Sequence, residues 1–351
     1  MNARHPTRRS LILSALPSLA FPALVRAQTF APLGPAAGGF AQPSRDTRLR
    51  FPADHGPHPA FRIEWWYVTA NLTGPDGTAY GVQWTLFRSA LSTDDAIPQA
   101  WLGHAALTTP DRHLSAERMA RGGTGQAGVT AEPFSARIDD WALDGPSLSD
   151  VTMTAAGADF AYDLALATDR PFVLQGDRGY SLKSATGVAS HYYSQPFYRA
   201  EGRLILPDRE VPVTGLAWLD REWSSAPLEP GQLGWDWASL HLATGEKVMA
   251  AQLRQQGRAP FTAATWIAAD GSPTPIPDGG VTLTPLETAE VAGRSVPVRW
   301  RIALPDRGLD VEIAAVNREA WMDLLYAYWE GPVTIEGSHA GVGYLEMTGY
   351  E

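Results

Sequence analysis

Trp66-Tyr67-Val68-Thr69-Ala70-Asn71-Leu72 runs into Gly74-Pro75-Asp76-Gly77, and Tyr80-Gly81-Val82-Gln83-Trp84-Thr85-Leu86-Phe87 follows. Two alternating, β-branched and aromatic runs around a Gly-Pro-Asp-Gly turn predict an antiparallel hairpin. The same period-two pattern recurs at 151–155, 160–167, 202–206, 211–218, 281–286, 298–303, 309–315 and 333–337. Helix-period windows are few and short, at 113–121 and 317–327. The chain is therefore read as all-β, of antiparallel barrel or sandwich type.

A weak internal repeat favours two barrels in tandem over one large sandwich. The first copy begins at Trp65-Trp66-Tyr67, turns at Asp76-Gly77 and ends at Leu86-Phe87-Arg88. The second begins at Trp235-Asp236-Trp237, turns at Thr244-Gly245 and ends at Gln252-Leu253-Arg254. Each copy opens on aromatics and closes on an arginine. This predicts that Arg88 and Arg254 sit at barrel ends, stacked on or beside Trp65 or Trp66 and Trp235 or Trp237. Glu64, next to three aromatics, is expected to pair with Arg88. The expected boundaries are a lead at 28–62 and barrels at 63–215 and 216–351.

Composition sets the outer limits. The 351 residues include 33 Gly and 28 Pro, too many for a helical bundle, and 13 Trp, 11 Tyr and 11 Phe. Acidic residues outnumber basic ones, 38 to 28. A nucleic-acid partner, which needs a basic face, is therefore not expected. The absence of cysteine removes disulfides, thiolate sites and a cysteine nucleophile. Residues 1–27 carry Arg4, Arg8, Arg9 and Arg26 and no acid. Arg8-Arg9 precedes an apolar run to Val25, and Val25-Arg26-Ala27 suits cleavage. This reads as an export signal of twin-arginine type, with a Sec signal as the alternative. A periplasmic or secreted protein is expected, with no transmembrane segment in the mature chain.

Several motifs resemble the lipocalin-like family of bacterial carotenoid 1,2-hydratases (hydroxyneurosporene synthases) and AttH-like exported proteins. They are Glu64-Trp65-Trp66-Tyr67, His191-Tyr192-Tyr193-Ser194, Gly215-Leu216-Ala217-Trp218-Leu219-Asp220-Arg221-Glu222-Trp223, Gly234-Trp235-Asp236-Trp237, Tyr328-Trp329-Glu330-Gly331 and Gly343-Tyr344-Leu345-Glu346-Met347-Thr348-Gly349-Tyr350. The resemblance runs in order from Glu64 to Glu351. It implies two tandem lipocalin-like (calycin-type) barrels and a hydrophobic small-molecule ligand. It also implies membrane transporter components as partners, since many members are encoded beside them. Where the hydratases carry a catalytic His-x-Trp pair, this chain has Trp235-Asp236-Trp237. That difference argues against literal carotenoid hydration.

Two constellations carry the candidate chemistry. On a strand, His191 and Tyr193 share a face. They are either proton-exchanging and water-orienting groups or a satisfied interior pair. Asp220 and Glu222 also share a face, with Asp236 nearby and Trp218, Trp223, Trp235 and Trp237 around them. An aromatic setting raises a carboxyl pKa, as a general acid requires, and ring faces stabilise a carbocation. The catalytic candidates are His191, Tyr193, Asp220 and Asp236, with Asp220 or Asp236 as the acid. The ligand-binding candidates are Trp218, Glu222, Trp235 and Trp237. The competing reading makes Asp220-Arg221-Glu222 a salt-bridged hinge. No Gly-x-Ser-x-Gly elbow, His-Glu-x-x-His motif, phosphate loop or dinucleotide fingerprint is present, so no hydrolase, metal or cofactor is expected. His55-Gly56-Pro57-His58 is read as a surface turn. Two function classes follow: a carrier of a hydrophobic molecule, and an enzyme acting on an isoprenoid or polyene by general acid chemistry.

Overall fold

The computed structural model describes residues 38–93, 99–226 and 228–350. The export signal expected at 1–27, with its Arg8-Arg9, and the lead up to residue 37 lie outside the described residues. Among the described residues there is no α-helix, only short 3-10 turns such as Ala53–His55. Among the described residues no helix is long and apolar enough to cross a membrane.

The strands form two curled antiparallel sheets, one a nearly closed barrel and the other a half-barrel. The first sheet runs His113–Arg121, Ala100–Thr108, Ala79–Ser89, Ile63–Thr73, Glu210–Ser224, Ala189–Ile205, Ala161–Ala167, Asp150–Ala156, Trp141–Ser147, Phe134–Ile138, Ala127–Ala131. The second runs Pro273–Ile276, Arg258–Ile267, Lys247–Gln255, Gln232–Leu242, Gly341–Met347, Tyr328–Gly337, Leu309–Ala315, Arg294–Leu304, Thr282–Val291. The two orders match: in each, the opening strand pairs with the last one. The hairpin expected at residues 66–87 forms, with Glu64 opposite Arg88.

Each sheet encloses its own apolar core. Trp66, Trp84, Trp141 and Trp223 fill the first, and Trp300 and Trp329 the second. A third cluster, with Tyr67, Tyr192, Trp218, Trp237 and Tyr344, lies where the outer faces of the two sheets meet. Approach there is close. A Cβ added at Gly81 would lie 2.6 Å from the Pro332 ring, and the Asn71 amide donates to the Gly343 carbonyl at 2.7 Å.

Four expectations need correction. The boundary expected at 215/216 falls inside the strand Glu210–Ser224, which pairs along all of Ile63–Thr73. Gly215 is no joint. A Cβ there would lie 2.0 Å from the Asn71 carbonyl, so the glycine allows close strand approach. The chain changes sheet between Ser224 and Gln232. The helix-period window 113–121 is an edge strand, because pairing with Ala100–Thr108 overrides a weak local pattern. The window 317–327 is turn, with a two-residue strand at Trp321–Met322. His55 and His58 form no exposed turn: His55 is buried, and the segment packs over one end of the first barrel. Trp66 donates to the His55 carbonyl at 2.9 Å, and the His58 ring stacks on Trp223 at 3.9 Å.

The arginine stacking also differs. Arg88 is buried but ion-paired to Glu64 and bonded to the Gln99 side chain and the His58 and Phe61 carbonyls. The carboxylate opposite it in register takes the guanidinium that the indole faces were expected to take. The cation over Trp66 is instead Arg221, at 3.8 Å. Arg254 pairs with Asp236 at 3.3 Å and lies 4.1 Å from the Tyr350 ring, not on Trp235 or Trp237.

Candidate functional site

A cavity of about 320 Å³ opens between the outer faces of the two sheets. It is walled by Trp65, Tyr67, Phe87, Tyr192, Trp235 and Trp237. Its size and apolar walls suit a small hydrophobic molecule. Among its polar lining residues are Asp220, Glu222, Glu346, Lys183, Tyr67, Tyr192 and Tyr328, together with the Glu64–Arg88 pair.

Strand alternation explains who arrives. Trp218, Asp220 and Glu222 point outward from the first barrel, while Leu219, Arg221 and Trp223 point into it. On the neighbouring strand Tyr192 and Ser194 point outward beside them. Asp220 accepts hydrogen bonds from the Tyr192 hydroxyl at 2.6 Å, the Trp218 indole at 2.7 Å and the Ser194 hydroxyl. All three donors are neutral. Burial therefore dominates and pushes the Asp220 carboxyl up to about 7, against the pull of those three bonds. The Trp237 indole donates to the Tyr192 hydroxyl at 3.2 Å, tying the second sheet to this network. Glu222 has a cation, Lys183 at 2.8 Å, whose ammonium also lies 4.9 Å from the Tyr192 ring centre.

The second sheet supplies carboxyls of its own. Glu330 and Glu346 lie directly opposite each other on adjacent strands. Glu346 accepts from the Trp235 indole at 2.5 Å, and burial pushes it up to about 7. Glu330 is fully buried, accepts from the Tyr67 hydroxyl, and is raised well above its usual range by burial and by the nearby Glu346.

The candidate residues divide accordingly. Asp220, Glu222, Trp235 and Trp237 line the cavity, and Trp218 holds Asp220 from behind. His191 and Tyr193 do share a face, but it turns into the first barrel. His191 packs 5.4 Å from the Trp223 ring and accepts from the Ser44 backbone, and burial lowers its pKa. The Tyr193 hydroxyl meets His55 Nδ1 at 2.6 Å. Asp236 faces the interior of the second barrel, where Arg254, Gln252 and Tyr350 bind it. Among Glu64, Trp65, Trp66, Arg88 and Arg254, Glu64 sits inside the first barrel's end between Arg88 and Arg221, while Trp65 faces the cavity. Sequence reasoning missed Tyr67, Tyr192, Lys183, Glu330 and Glu346. One signal was available: Tyr328-x-Glu330 and Tyr344-x-Glu346 place a tyrosine and a glutamate on one face of successive strands. Among the described residues no group of three His, Asp or Glu is arranged to hold a metal ion.

A family model described as AttH-like matches residues 42–350. The crystal structure of an AttH protein from Nitrosomonas europaea is 33% identical, with 89% of this chain and 99% of that one covered and a TM-score of 0.82. Kievitone hydratase from Nectria haematococca shares the fold at 16% identity, covering 88% and 98%, with a TM-score of 0.64. CghA, solved with Sch210972, shares it at 12% identity, covering 90% and 97%, with a TM-score of 0.56. A comparison with curated proteins finds no match. With the matched model spanning nearly the whole of both sheets, the chain belongs to the AttH-like family.

Proposed function

We propose that the protein acts on an unsaturated hydrophobic small molecule held between its two sheets, adding a proton to it as alkene hydration or cyclisation requires. The observation that carries this reading is Asp220: a carboxyl on an aromatic-walled cavity, bonded only by neutral donors, with a pKa pushed up to about 7. A group that exchanges its proton near neutral pH is matched to general acid–base work. The faces of Trp65, Trp235 and Trp237 supply a setting in which a carbocation is stabilised. The kinship of fold with a protein named as a hydratase supports the same class.

The test is a set of isoprenoid alkenes and conjugated polyenes incubated with the protein in deuterium oxide, with products read by mass. Deuterium and water should enter the product. Asp220→Asn should lower turnover by roughly a hundredfold or more while a fluorescent polyene still binds. Equal binding with no product from the wild type would make the protein a carrier. Binding of no probe would contradict both classes. The reading also places the protein outside the cytoplasm, on the strength of Arg8-Arg9 and the apolar run after them. Replacing both arginines with lysine should abolish export of the mature chain.

A further inference from the structure

Asp220 does not account for the carboxyls of the second sheet. Glu346 opens on the cavity, and Glu330 stands behind it on the adjacent strand, wholly buried, with the Tyr67 and Tyr328 hydroxyls at its carboxyl. Tyr67 from the first sheet lies between them. Its hydroxyl donates to Glu330 and is within bonding reach of Glu346. Behind Glu330, the Tyr328 hydroxyl meets His104 Nδ1 at 3.0 Å. Two carboxyls directly opposite each other in a low-dielectric site cannot both be charged at modest cost. Hydroxyl donors offset the burial of a carboxylate less than a cation would, so burial favours the neutral acid.

Building on the function proposed above, we propose that Glu346 is the proton donor of the cavity and that Glu330 is its proton reserve, connected through the Tyr67 hydroxyl. The alkene π pair forms a C–H bond with the Glu346 proton as the Glu346 O–H bond breaks. This leaves a carboxylate and a carbocation. A water oxygen closes on the cation, and the proton it sheds passes to the Asp220 carboxylate, whose three donors suit it to accept. Tyr67 then gives its hydroxyl proton to Glu346 and takes the one on Glu330. Cavity water then brings the Asp220 proton to Glu346 as Glu346 hands its own on through Tyr67 to the buried Glu330, so the protein ends as it began and the product is the alkene plus water. Glu330 touches no substrate in this scheme and is a positioning residue. The charged and titratable groups facing the pair are Asp220, Glu222, Tyr67, Tyr162, Tyr328 and Tyr344.

Two readouts test the scheme. In protein labelled with carbon-13 at the glutamate carboxyls, Glu346→Gln should lower the titration midpoint of Glu330 by at least about one pH unit, because the charge that holds its proton is gone. In turnover, Glu346→Gln should lose about a hundredfold or more. Glu330→Gln and Tyr67→Phe should slow the steady state about tenfold more than they slow the first turnover, because reloading of Glu346 runs through them. The scheme is overturned if Glu346→Gln leaves the Glu330 midpoint in place, or if Glu330→Gln and Tyr67→Phe both sustain the wild-type steady state. A wild type that processes no alkene contradicts the function proposed above, and the carboxyl titration then decides by itself whether the pair shares a proton.

Discussion

Glu64 and Glu330 are both wholly buried glutamates, yet they are held in opposite charge states. Glu64 lies inside the end of the first barrel. Arg88 and Arg221 bind it from two neighbouring strands, and the His58 backbone donates to it at 2.9 Å. Those partners outweigh burial and hold it well below the usual carboxylate range. Glu330 lies between the sheets with hydroxyls for neighbours, and burial wins. Asp220 belongs with Glu330 and Asp236 stands between the two types, raised by burial and drawn down by Arg254. Depth does not decide whether a buried acid is structural glue or a proton donor. The charge of what surrounds it does.

The comparison breaks most visibly at Arg221. Arg221→Met should cost roughly 3–5 kcal/mol in denaturant unfolding, since it strips Glu64 of one of its two buried cations. It also removes the cation 3.8 Å from the Trp66 ring. A loss under about 1 kcal/mol would show that Arg88 alone suffices.

The next effect is the sign of the pH dependence. Asp220 and Glu346 are raised to about 7, so between an unfolded carboxyl pKa of about 4 and that value the folded state binds more protons. Their contribution to stability is fully present below this window and lost as pH rises through it. Glu64 is lowered, so its contribution is present above about 4 and lost only as acid protonates it. From pH 5 to pH 8 the protein should therefore lose stability. Asp220→Asn should remove up to about 3 kcal/mol of that loss, since about two pH units of the window lie above pH 5 and each is worth about 1.4 kcal/mol. Thermal unfolding across the range checks it.

Two smaller effects sharpen the contrast. Arg254→Met should cost about 1–2 kcal/mol, less than Arg221→Met, because Arg254 is partly open to solvent and Asp236 keeps Gln252 and Tyr350. Glu330→Gln should change stability by under about 1 kcal/mol at pH 7, since an amide replaces an acid that is already neutral. Glu64→Gln, measured beside it, should cost several times more.

What the residues disclosed beforehand follows the same division. The hairpin at 66–87 and the Glu64–Arg88 pair were legible because a glycine turn fixes register and register puts the two side chains face to face. The aromatic surroundings of Asp220 were legible because they are near in sequence. The facing of His191-Tyr192-Tyr193-Ser194 was not, because all four are buried: one face packs on the barrel core and the other on the second sheet, so no polar–apolar alternation marks the outside. Asp236 misled for the same reason, flanked by two tryptophans that point the other way. Glu330 and Glu346 were hidden by distance, since what keeps them acids is burial between the sheets, against a first sheet whose Tyr67 precedes Glu330 by 263 residues.

The central claim is that the acids on the cavity exchange their protons near neutral pH. The most direct measurement is a pH titration of carbon-13 aspartate carboxyls, with Asp220→Asn to assign the resonance. The account expects the Asp220 midpoint at about 7. A midpoint near 4, the value of an ordinary solvated aspartate, would contradict it.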